Sequence, residues 1–173
     1  MTERERIIEE IEIRNEIMFR KAKNELTHFL PYINPNYQLE WFHRLIATKC
    51  QELLEGKIKN LMIFVPPQHG KSEIISRCFP AWALGRNPDL KIVGCSYSAD
   101  LAQQFSRSIQ RTIDSEEFQR LFPATFLNGS NVKTMAKGYL RNIDIFECVG
   151  RKGFYKAVGV GGGLTGTPVD IAI

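Results

Sequence analysis

The segment Leu61-Met62-Ile63-Phe64-Val65-Pro66-Pro67-Gln68-His69-Gly70-Lys71-Ser72-Glu73 decides how the rest of the chain is read. Five consecutive apolar residues, Leu61 to Val65, are bounded behind by Lys57-Ile58-Lys59-Asn60 and ahead by two prolines. A run of that length between such borders predicts a strand buried on both faces, as in a parallel sheet. Pro66 and Pro67 end it, because proline has no N–H to give to a ladder. Gly70-Lys71-Ser72 follows, and then a stretch able to form a helix. Strand, loop and helix in that order make a phosphate-binding loop, in which N–H groups of the loop and of the helix N-terminus point at an anion. Pro67, Gln68, His69, Gly70, Lys71, Ser72 and Glu73 would then border the phosphates. Lys71 would reach the β- and γ-phosphates, and the Ser72 hydroxyl would hold Mg²⁺. The match to G-x-x-x-x-G-K-[ST] is incomplete, since Val65 stands where the first glycine belongs. The competing reading is a proline-rich turn between a core strand and a helix. The strand–loop–helix order favours the phosphate.

The 173 residues are enough for one domain with a core. A hydrophobic content of 43% with 24% charged residues excludes a disordered chain. The net charge of +4 permits a polyanionic partner without arguing for one. Cys50, Cys78, Cys95 and Cys148 form no C-x-x-C pair; Cys78 and Cys95 read as small core residues. The mixed-charge start, Met1 to Arg6, leads into no signal-peptide core, and no apolar run reaches membrane-spanning length. A reduced cytosolic setting is expected.

Outward from the loop, residues 3–28 read as one amphipathic helix. Ile7, Ile8, Ile11, Met18 and Phe19 form its apolar stripe, packed on the body or on a partner. Pro31 and Pro35, with Asn34 and Asn36, mark a loop. A second helix is expected from about Leu39 to Leu54, ending at Gly56. Its start, Tyr37 to His43, is rich in aromatic and amide groups. Gln38 and Trp41 could hold an adenine there, although core packing explains Trp41 and Phe42 as well.

Beyond the loop, a helix is expected from Lys71 to about Phe79, kinked or ended by Pro80. A strand over 91–97 and a helix over 99–113, capped by Ser98, follow. Leu101, Phe105, Ile109 and Ile113 should face inward, with Gln103, Arg107 and Arg111 solvated. A short helix starts at Ser115 and ends by Pro123; residues 128–138 read as loop or weak strand. Runs 139–149 and 154–160 read as a hairpin around Arg151-Lys152-Gly153. Gly161, Gly163 and Gly166 spell G-x-G-x-x-G but run into Pro168 and a strand rather than a helix. This argues for a flexible loop and against a dinucleotide fingerprint. Lys133, Lys137, Arg151 and Lys152 read as scattered surface charge.

Taken in order, several blocks carry a resemblance: residues 56–63, Pro66 to Glu73, Phe79 to Pro88, Ser96 to Ala102, Leu121-Phe122-Pro123 and Gly159 to Gly166. From about Tyr37 onward the chain resembles the N-terminal ATPase domain of the large terminase subunit of tailed bacteriophages and prophages. The resemblance implies an α/β fold of the P-loop NTPase kind, with a mostly parallel sheet, flanking helices and an N-terminal helical extension. Residues 1–36 would be the extension and 37–173 a partial ATPase domain. It implies an ATP-driven motor that moves double-stranded DNA into a procapsid in the cytoplasm of the bacterial host. Its cofactors would be ATP and Mg²⁺. Its partners would be the DNA, a portal protein and a small terminase subunit, with a homo-oligomeric ring and no membrane.

Two departures stand out. The family's loop usually carries an arginine where Gln68 stands, and an amide cannot neutralise phosphate charge. Arg77 and Arg86 are the candidates to replace it. Residues 169–173 resemble the strand that delivers the Walker B acids, and the sequence ends before those acids. Asp170 is a poor substitute. A strand that lies between the Walker A and Walker B strands in related folds, and a nuclease domain, are also expected to be missing. These residues should therefore bind ATP–Mg²⁺ and hydrolyse it poorly. The alternative is a non-catalytic remnant or an interaction module that works through the N-terminal helix.

Overall fold

The computed structural model describes residues 2–134 and 138–173. Its first element, α1 (Glu3–Asn24), starts at a capping box: the Thr2 hydroxyl accepts from the Glu5 N–H, and the Glu5 carboxylate accepts from the Thr2 N–H. The helix expected over 3–28 is in fact two. It breaks at Glu25, and α2 (Leu26–Ile33) turns under the body. The break is held from outside by Gln51, whose side chain accepts from the Leu26 N–H at 3.1 Å and donates to the Asn24 carbonyl at 3.3 Å. Helix ends leave such groups unsatisfied, and one amide here serves both. Pro31, expected in a loop, lies inside α2. The expected packing of α1 holds only at its end. Ala22 is buried and Phe19 meets Tyr32 edge-on, while Ile7, Ile8, Ile11 and Met18 are exposed, since of α1 only Phe19 and Ala22 join the core.

Helix α3 (Trp41–Leu54) precedes the loop that holds Gly70 and leads into the helix at Lys71. After the loop, a π-helical turn (Glu73–Cys78) leads without a break into α4 (Phe79–Arg86). The widened turn has a cause in the sequence: Pro80 cannot donate, and its ring would strike the carbonyl one turn earlier. The Phe79 N–H accordingly donates to Ile74, five residues back. Phe79 to Leu84 are all buried, and the Trp82 indole N–H donates to the Ala22 carbonyl at 3.3 Å. α2 joins this same core through Leu26, Phe29 and Leu30.

The sheet has the order β2-β3-β1-β4, with β1 Lys91–Ser96, β2 Ile145–Glu147, β3 Phe154–Gly159 and β4 Ile171–Ala172. β1 is parallel to both β3 and β4, and β2 is antiparallel to β3. Helix α5 (Ala99–Ile113), capped by Ser98, packs on β1 and β3 with Ile109 and Ile113 buried; α6 (Glu116–Leu121), capped by Ser115, follows. The chain is thus mixed α/β with a mostly parallel open sheet flanked by helices, as expected. Gly94 is required within β1, because a Cβ there would strike the Tyr155 hydroxyl of β3. Cys95, expected in the core, is exposed; it follows three buried positions and points out near the end of its strand.

The largest difference from expectation is Leu61 to Val65. These residues join no ladder. Leu61, Ile63 and Val65 rest against the core, while Met62 and Phe64 are 79% and 86% exposed. The segment is therefore covered on one face only. Residues 58–62 and the outer edge of β4 line opposite sides of a cleft of about 670 Å³. Both bordering segments carry backbone groups without a sheet partner across that gap.

Candidate functional site

The loop between Val65 and the helix at Lys71 is fixed by its own carbonyls. Lys71 Nζ donates to the Pro66 carbonyl at 3.4 Å, and the His69 ring, through Nδ1, meets the Pro67 carbonyl at 2.7 Å. The His69 carbonyl lies 3.1 Å from His43 Nε2, on α3. Gln68 has φ +64° and Gly70 φ +70°. Left-handed backbone is natural for glycine and costly for glutamine, so the loop stores a little strain at Gln68. The Gly70 carbonyl accepts from Glu73 and Ile74 and so starts the helix. Among the described residues, the N–H groups of Gly70, Lys71 and Ser72 donate to no acceptor. Three successive free donors at a helix start, with an ammonium folded over the loop, form a cradle for an anion.

Two walls support the cradle. On one side Tyr37 and His43 stand against Gly70; a Cβ there would lie 2.7 Å from the Tyr37 hydroxyl and 2.9 Å from His43 Nε2. Burial first, and then the negative charge of Glu73, hold the Tyr37 phenol above its ordinary pKa. On the other side a cleft of about 440 Å³ runs between α3 and residues 61–66, with Trp41, Phe42, Leu45, Phe64, Lys49 and His69 among its lining. Trp41 is 75% exposed at its mouth, with its ring edge-on to Phe42 at 5.8 Å. Gln38 is exposed and does not line this cleft.

The remaining sequence candidates are committed elsewhere. The Glu73 carboxylate accepts from Arg77 at 2.7 Å and from the Cys78 thiol at 3.8 Å. Arg77 also lies over Phe105, and Arg86 donates to the Asn24 carbonyl at 2.9 Å beside Trp82. Neither guanidinium is aimed at the loop. Asp170 accepts from the Lys91 N–H at 2.8 Å, at the start of β1, and borders the cleft beside residues 58–62. Among the described residues no cluster of three or more His, Cys, Asp or Glu side chains could hold a metal. Lys133, Arg151 and Lys152 are exposed; Lys137 lies outside the described residues.

His43 and Tyr37 were not recognisable as loop supports from sequence. The one signal was position: His43 stands three residues after Glu40, which caps α3, and the Glu40 N–H donates to His43 Nδ1 at 3.1 Å. Among the described residues no helix is long and apolar enough to cross a membrane. No curated protein and no solved structure matches the chain. One protein family does: its model, described as terminase large subunit, T4likevirus-type, N-terminal, matches residues 62–159. That span begins just before the loop with Gly70, ends with β3 and covers more than half of the sequence, so the chain belongs to the family of N-terminal regions of T4-like-virus-type terminase large subunits.

Proposed function

We propose that these residues are the nucleotide-binding part of a phage DNA-packaging motor and that they bind ATP–Mg²⁺ at residues 67–73. The observation that carries the reading is the row of free N–H groups at Gly70, Lys71 and Ser72 beneath the Lys71 ammonium. Lys71 exchanges the Pro66 carbonyl for the β- and γ-phosphates. The Ser72 hydroxyl is a ligand for Mg²⁺, and Gln68 adds a neutral hydrogen bond. The adenine lies in the cleft beside Trp41, whose indole offers a stacking face.

Membership of the terminase family supports the packaging role. Double-stranded DNA, a portal protein, a small terminase subunit and a ring of copies are the partners this reading implies, in the host cytoplasm. Hydrolysis by these residues alone is slow. The Glu73 carboxylate is held by Arg77, and Asp170 is bound to the start of β1, so neither activates water beside the γ-phosphate.

The test is titration of the 173-residue protein with ATP–Mg²⁺, followed by calorimetry and by thermal shift. Saturable binding that Lys71→Ala weakens by about 10-fold or more supports the reading, and a flat titration removes it. A second reading, an interaction module working through residues 1–30, is favoured by one observation: Ile7, Ile8, Ile11, Ile13 and Ile17 are all exposed on α1. It prevails if nucleotide gives no shift while a phage protein is captured and deletion of those residues releases it.

A further inference from the structure

The imidazole of His43 is buried, with only 8% of the residue exposed, and both of its nitrogens are engaged. Nδ1 faces the Glu40 N–H, which can only donate, so Nδ1 carries the lone pair. In the neutral ring the proton is then on Nε2, and Nε2 donates to the His69 carbonyl. The two contacts agree on one tautomer. The ring is kept in place by Phe42 at 4.1 Å and Tyr37 at 5.4 Å between centroids.

A planar trans peptide points its carbonyl and the following N–H in opposite directions. Holding the His69 carbonyl against α3 therefore turns the Gly70 N–H away from α3, toward the open side of the loop. Gly70 allows this close approach, since any Cβ would run into His43 and Tyr37. We propose that His43 is a positioning residue for the phosphate loop: its Nε2–H clamps the His69 carbonyl and so presents the Gly70 N–H to the polyphosphate. This inference rests on the nucleotide-binding reading above. It adds that loop geometry is set by α3, an element that touches no phosphate.

Two amide replacements separate the ring's two jobs. Asparagine can accept from the Glu40 N–H, as Nδ1 does, but is too short to reach the loop. Glutamine can extend a donor to the Nε2 position. The experiment measures ATP–Mg²⁺ and ADP–Mg²⁺ affinity by calorimetry, and thermal stability without nucleotide, for the unaltered protein, His43→Asn and His43→Gln. The expected result is a loss of about 5- to 10-fold in both affinities for His43→Asn, the scale of one net hydrogen bond, and recovery to within about 2-fold for His43→Gln. The melting temperatures of the two variants should be alike. If His43→Asn does not fold, His43→Gln against His43→Met, of similar length with no donor, makes the same comparison. A folded donor-free variant that binds as tightly as the unaltered protein would overturn the clamp alone. Absence of binding by the unaltered protein would overturn the nucleotide reading and the clamp with it.

Discussion

The ammonium of Lys71 donates to the carbonyl of Pro66, 3.4 Å away and five residues earlier in the same loop. The contact is long for a charged donor and leaves Lys71 only partly buried, so little stability depends on it. Lys71→Ala should therefore leave the free energy of unfolding in urea within about 0.5 kcal/mol of the unaltered protein. ATP–Mg²⁺ affinity should fall by about 10-fold or more, the loss expected for removal of a charged hydrogen bond to phosphate. Calorimetric titration of both proteins checks this; equal affinities would remove Lys71 from the site.

The two tryptophans occupy opposite environments. Trp82 is fully buried in α4, and Trp41 is 75% exposed at the cleft beside the loop. Any change in tryptophan emission on adding ATP–Mg²⁺ should therefore come from Trp41. Trp41→Phe should abolish the change while weakening binding by no more than about 5-fold, because a phenyl ring retains part of the stacking. A nucleotide-dependent change that persists in Trp41→Phe would place the base elsewhere.

Thiol chemistry should be uneven. Cys95 is exposed, while Cys50, Cys78 and Cys148 are buried. Burial pushes the Cys50 and Cys148 thiols from 9.0 up to about 12, and burial with the nearby Glu73 carboxylate raises Cys78 as well. At pH 8 a disulfide reagent should titrate one thiol in the native protein and four after unfolding. The folded protein keeps these protons when the unfolded chain has lost them, so their contribution is fully present below pH 9 and is lost as pH rises toward 12. Each such thiol should lower stability by about 1.4 kcal/mol per pH unit within that window. Urea melts between pH 8 and pH 10.5 measure the slope.

Arg141 ties the segment after α6 back to α5. Its guanidinium donates to Gln110 Oε1 at 3.2 Å and to the Asn128 carbonyl at 2.6 Å, and it pairs with Asp114. Only 18% of the side chain is exposed. Arg141→Met removes all three contacts and should cost about 2–4 kcal/mol. Asp114→Asn touches only the half-exposed partner and should cost about 1 kcal/mol or less. Equal losses in urea unfolding would show that the ion pair, not the network, sets the stability.

The parts of the fold that were legible in the sequence are those specified locally. Ser98 and Ser115 cap α5 and α6, and the spacing of Ile109 and Ile113 set the inward face of α5. Pro80 announced a disturbance, although a π-helical turn rather than an ending resolves it. The start of the helix after the loop was equally legible, because Gly70 precedes it and Lys71 and Ser72 open it. What failed depended on distant partners. The helix over 3–28 breaks because Gln51, on another element, satisfies the groups at the break. Leu61 to Val65 has the composition of an interior strand but pairs with nothing, and the exposed Met62 and Phe64 follow from that. His43 was unreadable for the same reason, since its significance lies in a carbonyl 26 positions away.

The cleft between residues 58–62 and β4 has a consequence for how the protein behaves in concentrated solution. A segment that bares Met62 stands opposite a bare strand margin, with Phe64 bare two residues further on, and each border is a template for foreign backbone. One molecule offers two sticky borders, so copies can add to one another without closing into a ring. Light scattering should rise steeply with concentration, and Met62→Lys together with Phe64→Lys should suppress that rise while leaving the core-facing Leu61, Ile63 and Val65 in place.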